Sequence, residues 1–225
     1  MGTSKGYIAP STPKWALAKR GISGYVGNPS TSNKKEAVSK FAKAMNSDNS
    51  MTNRASAIFS SFASFVSSSR NNGLKQTLND FGKSYINSLP PEEAFFQLIN
   101  SFSEGNTTDD IIANNCISEA MVILDVNDLN EISTIGINTL IKELVCQFAK
   151  QKFAQMFDKQ IRNKCNNVIT ANKRLEELQE YIYFTIKDEL TEEKISEINP
   201  LELADEEIVK NTMNTAFDYL ENYYD

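Results

Sequence analysis

From about residue 34 onward, apolar residues recur at intervals of three and four, and no run of convincing two-residue alternation interrupts them. That period places side chains on one face of an α-helix, so it limits the chain to helices packed on helices. Val38, Phe41, Ala42 and Met45 mark a first face; Ala57, Ile58, Phe62, Phe65 and Val66 mark a second. The second segment is rich in serine from Ser60 to Ser69, and Asn72-Gly73 is a stop signal. Leu74, Leu78, Phe81, Tyr85 and Ile86 predict a third helix. Pro90-Pro91 followed by Glu92 and Glu93 predicts the start of a fourth, with acids at the positive end of the helix dipole. Thr108-Asp109-Asp110 reads as another start, and Ile111 to Val126 as a central helix. Long helical patterns follow over about 133–164 and 168–190. After the break at Asn199-Pro200 a last helix opens at Asp205-Glu206-Glu207. The predicted fold class is all-α: a helical bundle over residues 34–225.

Residues 1–33 differ in kind. They hold five of the nine glycines, three of the six prolines and eight Ser/Thr, with no acid. Pro10, Pro13 and Pro29 disfavour one long helix and push the residues before them towards extended backbone. The expectation is a flexible Gly/Pro/Ser-rich arm over 1–33. The arm nonetheless carries Tyr7, Ile8, Leu17, Ile22, Tyr25, Val26 and the single tryptophan, Trp15. Trp15 is expected to anchor the arm, either on the body of the protein or in a partner's pocket.

The residue types present narrow the chemistry. There is no histidine, which removes the commonest general base and the usual nucleophilic triads. Cys116, Cys146 and Cys165 stand at spacings that match no metal or redox motif, and each falls in a helical pattern. No phosphate-binding glycine loop occurs. The expectation is a non-enzyme with no metal and no cofactor of its own. No apolar run approaches the ~20 residues a spanning helix needs. The start lacks a secretory h-region, so a cytoplasmic protein without membrane association is expected.

Charge is divided along the chain. Residues 1–75 carry a net +9 and residues 76–225 a net −15, giving −6 overall. The basic part can lie on the protein's own acidic part or meet a charged partner. Lysines interleaved with Tyr7, Trp15 and Tyr25 would also suit single-stranded nucleic acid, but no recognised motif supports direct binding.

The first residues, Met1-Gly2-Thr3-Ser4-Lys5-Gly6, raise a chemical possibility. Gly2 is small enough for removal of Met1, which would leave a glycine α-amine. Its reference pKa of about 7.7–8.0 leaves far more free base near neutrality than a lysine has. Gly2 also begins a myristoylation pattern, but Gly6 stands where that pattern requires Ser or Thr.

This start, the Gly/Pro/Ser-rich arm, Pro13-Lys14-Trp15 and the helical body together resemble the QatB family of the bacterial Qat anti-phage defence system. The resemblance implies an operon with a P-loop ATPase, a QueC-like enzyme and a TatD-like nuclease. It further implies that the QueC-like enzyme uses ATP to activate a 7-deazaguanine carboxylate and conjugates it to a protein N-terminus. Carried over, Gly2 is the modification site after loss of Met1. Thr3, Ser4, Lys5, Gly6, Pro13 and Trp15 are then the partner-binding residues, and nucleic acid is met only indirectly. The alternative reading is a scaffold that bridges ATPase, QueC-like enzyme and nuclease without being modified.

Overall fold

The computed structural model describes residues 9–48, 50–103 and 107–223. In chain order its α-helices are α1 (Pro13–Gly27), α2 (Thr31–Asn46), α3 (Ser50–Asn72), α4 (Leu74–Asp80), α5 (Pro91–Asn100), α6 (Thr108–Ile123), α7 (Ile137–Lys164), α8 (Val168–Glu189), α9 (Glu192–Ile198) and α10 (Glu206–Asn222). Short 3-10 helices lie at Ser84–Ser88 and Leu129–Thr134. No strand occurs among the described residues, and the fold is all-α.

The chain divides into two compact units. The described part of the first comes from residues 9–48, 149–189 and 214–223; the second comes from 50–103, 107–148 and 190–213.

In the first unit, α1 packs on α2 and α2 touches α8. Its core is aromatic. The Phe41 ring lies 5.3, 6.0 and 5.9 Å from those of Phe153, Phe157 and Phe217, all edge-on. Trp15 adds to the cluster, with its ring 6.4 Å from Phe41 and 6.2 Å from Phe157. Edge-on contacts bring the positive rim of one ring onto the negative face of another, which favours them beyond the area they bury. Close approach of α1 and α2 depends on Gly21. A Cβ there would stand 3.1 Å from the Ala37 Cα.

The expected arm is therefore corrected over its second half. Residues 13–27 are helical, and Trp15, Ala18, Gly21, Ile22 and Tyr25 are buried. Their spacing is itself the three-four pattern of a helix face, set among glycines that obscured it. Pro13 does not oppose this helix. It is the first helical residue, where a missing N–H costs nothing. Pro29 falls in the two-residue break before Ser30, whose hydroxyl accepts from the Asn33 N–H to cap α2.

The second unit packs α3 against α4 and α6. Its phenylalanines pair edge-on: Phe59 with Phe148 at 6.1 Å, Phe62 with Phe102 at 5.3 Å, and Phe65 with Phe81 at 5.3 Å. α6 starts with a full capping box. The Thr107 hydroxyl accepts from the Asp110 N–H, and the Asp110 carboxylate accepts from the Thr107 N–H. Asp110 is fully buried and also accepts a 2.6 Å bond from Arg54 Nε. Burial pushes its carboxyl pKa up, but the bonds from Arg54 and Thr107 outweigh that and hold it below the ordinary carboxylate value.

Two further differences from the sequence reading have local causes. The third predicted helix ends at Asp80, because Gly82 takes a φ of +67° that turns the chain before Ser84–Ser88. A short helix, α9, fills the segment before Asn199-Pro200, capped by Thr191, whose hydroxyl accepts from the Lys194 N–H.

Candidate functional site

The candidate residues divide at Ala9. Gly2, Thr3, Ser4, Lys5 and Gly6 lie outside the described residues. Pro13 and Trp15 lie within them, and the structure separates the two. Pro13 is exposed at the start of α1. Trp15 is fully buried in the first unit, so its indole is not presented to a partner. Of the two anchoring places expected for it, the protein's own core is the one observed. Its Nε1–H has no acceptor among the described residues, a cost outweighed by burial of the large ring.

What the structure builds at this point is a fixed root for the N-terminal segment. The Lys19 ammonium, one and a half turns into α1, reaches back and donates to the carbonyls of Ala9 and Pro10 at 2.7 and 2.9 Å. Bonds from a charged donor are stronger than neutral ones. Two on consecutive carbonyls fix the direction in which the chain meets the helix. α1 is itself secured. Gln160 on α7 donates to the Lys19 carbonyl at 2.7 Å and to the Ser23 hydroxyl at 3.0 Å. At the other end of α1, the Tyr25 hydroxyl donates to Glu177 on α8. Arg174 donates to the same carboxylate oxygen at 2.7 Å. Burial, then the Glu177 bond and charge, push the Tyr25 phenol far above its usual pKa. Burial opposes ionisation of Glu177, yet bonds from Tyr25 and Arg174 prevail and hold it low.

Beside Ala9 the surface opens into a groove of about 280 Å³. Ala9, Lys19, Met156, Lys159, Gln160, Asn163 and Lys164 line it. Its floor is apolar and its edges carry cations and carboxamides. Lys159 and Lys164 are exposed and lie in the last turns of α7, where the helix dipole favours positive charge. Sequence reading did not single out these residues. The one available signal was the cluster Lys159, Arg162 and Lys164 ahead of a helix stop, which is common on solvated helices.

The basic start of the chain also meets the acidic end within this unit. Lys43 pairs with Glu221 at 3.2 Å, Asn46 donates to Asp218 at 2.8 Å, and the Ser39 hydroxyl donates to the Glu221 carbonyl. Lys34 and Lys35 stand over the rings of Tyr181 and Tyr223 at 5.9 and 5.3 Å. Part of the charge division along the sequence is thus used to join α2 to α8 and α10, as one of the two readings anticipated.

Among the described residues, no three His, Cys, Asp or Glu converge as a metal site would require. No helix among them is long and apolar enough to cross a membrane.

The model of one protein family, described as the Qat anti-phage system associated protein QatB, matches residues 43–220 of the 225. No curated protein and no solved structure matches. The match spans most of the helical body. Residues 1–42, which include Gly2 and Pro13-Lys14-Trp15, lie outside it.

Proposed function

Because the chain belongs to the QatB family, and so works with the other components of the Qat anti-phage system, we propose that it is the protein substrate of a QueC-like partner. Met1 is removed. The partner converts a 7-deazaguanine carboxylate to its acyl adenylate with ATP, releasing pyrophosphate. The Gly2 amine nitrogen attacks the acyl carbon, AMP leaves, and the nitrogen gives up a proton. The product is an amide-linked base at the chain end. The chain supplies an acceptor and no catalyst.

The observation that supports this reading most is the architecture at Ala9. Lys19 fixes the root of the segment, and with Met1 removed the seven residues before Ala9 span at most about 25 Å when extended. That is length enough to enter an enzyme's channel while α1 stays packed. Pro13, exposed at the head of α1, is available to the same partner; Trp15 contributes by holding α1 in place. Thr3, Ser4, Lys5 and Gly6 would lie in the channel as an extended peptide. Any ATPase and nuclease of the system then act on or through the modified chain.

The test is the mass of the N-terminal peptide after co-expression with the QueC-like partner and its precursor. Wild type should lose Met1 and gain the mass of the acyl base. Gly2→Glu should retain Met1 and gain nothing. Loss of Met1 alone in the wild type, with precursor supplied, would reject conjugation and leave the scaffold reading. Exposed Phe96, Ile111 and Val122 in the second unit would then be the first surface to examine.

A further inference from the structure

The groove beside Ala9 has no part in the reading above, which concerns the amine while it is inside a partner. Its shape and chemistry address what happens afterwards. At about 280 Å³ it falls just below the usual range for drug-sized ligands, large enough for one fused heteroaromatic ring system but not for a dinucleotide. Met156 and the alkyl stems of Lys159 and Lys164 offer apolar surface to a flat ring. The Asn163 carboxamide, the Gln160 amide oxygen and the ammoniums of Lys159 and Lys164 suit the carbonyl and amino edge of a purine-like base, the Gln160 NH2 being engaged on α1.

Charge decides which chain end fits. Lys19, Lys159 and Lys164 bring three cations to the groove. Lys19 stands at the groove edge through its bonds to the Ala9 and Pro10 carbonyls. A free α-ammonium is repelled there. Acylation removes that positive charge and adds the ring. Distance is no obstacle, because Ala9 is itself part of the groove wall, and the residues before it are long enough to fold back.

We propose that this groove is a docking site for the chain's own N-terminal residue once it carries the base, and that it rejects the unmodified end. The inference rests on the conjugation reading for its ligand. The modified chain end therefore has two states, docked and free, and a partner that reads the base must draw it out of the groove. The device senses modification without any enzyme being present.

The experiment uses the full chain with Gly2 acylated chemically, so that it does not depend on the partner enzyme. One sample carries 7-carboxy-7-deazaguanine, a second carries acetate, and a third keeps the free amine. Trypsin cleavage after Lys5 is followed by mass. Docking for roughly four-fifths of the time should slow cleavage by about fivefold in the base-acylated sample alone, since cleavage follows the open population. The double variant Lys159→Glu/Lys164→Glu alters exposed side chains only and should abolish the protection, with no more than a small fall in the melting temperature from charge reversal at the end of α7. Equal cleavage of base-acylated and acetylated chains would overturn the proposal, as would protection that survives the double variant. Failure of enzymatic conjugation in co-expression would instead reject the functional reading and leave this result standing.

Discussion

α1 and α6 are nearly the same length, 15 and 16 residues, and they exist for different reasons. α6 is specified locally. A capping box and two acids in the first turn satisfy its start before any apolar face is considered, and Arg54 on α3 adds a tertiary bond to one of those acids. α1 has almost none of this. Thr12 makes no side-chain cap, the first turn has no acid, the last turn has no base, and Gly21 and Gly24 stand inside it. Glycine within a helix costs about 0.5–1 kcal/mol relative to alanine. What maintains α1 is tertiary: Trp15 against Phe41 and Phe157, Gly21 against Ala37, Gln160 on its backbone, Tyr25 on Glu177. A helix of the first kind is predictable from a short window, whereas one of the second kind is visible only with its neighbours in place.

The sharpest way to break this contrast is Trp15→Ala. Removing a fully buried indole should cost about 3–5 kcal/mol, measured by chemical denaturation. α1 should be the element lost, shown by amide exchange across Pro13–Gly27 approaching that of an unfolded peptide while α6 stays protected. If α1 remains protected in this variant, local signals must sustain it after all.

Arg54→Ala tests the other helix. It leaves a buried carboxylate held by Thr107 but stripped of its cation, and the loss should be about 2 kcal/mol, less than for a wholly buried pair because the Arg54 side chain is partly exposed. The pH dependence has a definite sign. With its folded pKa held low, Asp110 contributes stability above the ordinary carboxylate value of about 3.9, and that contribution disappears as pH falls through the lower folded value. Stability measured between pH 5 and about 3 should therefore fall less steeply in Arg54→Ala than in the wild type. Parallel curves would assign the low pKa to Thr107 alone.

Gly24→Ala should have the smallest effect and the opposite sign. An added Cβ meets no heavy atom within 4 Å, so the helix gains propensity without a clash, about 0.5–1 kcal/mol of stabilisation. Gly21→Ala, with Ala37 at 3.1 Å, should gain less or lose. A larger gain at Gly21 than at Gly24 would mean that the α1–α2 contact is looser than described.

This contrast also explains what the sequence made legible. The helical class, the start of α5 at Pro91, the stop at Gly73 and the length of α8 follow from period and punctuation, which are local properties. The start of α6 at Thr108 is likewise legible, with Thr107 before it as the N-cap. α1 is not legible in the same way, because its proline, glycine and serine content masks the 15, 18, 22, 25 spacing of its buried residues. Of the candidate site, the sequence supplied Gly2 and its chemistry. It could not supply the Lys19 clamp or the groove, which depend on which turn of α7 stands beside Ala9.

In the second unit, Asn138 donates its amide to the Asn199 carbonyl, and Asn199 donates back to the Asn138 side chain while also bridging to both backbone groups of Leu203. The two asparagines stand 61 positions apart, and both are buried. Closing so long a loop carries an entropic cost that no local helix repays, so the pairing is rewarded only when the intervening helices are already in place. The pair thus ties the start of α7 to the turn ahead of α10, and that turn is held by a contact that exists only in the assembled unit.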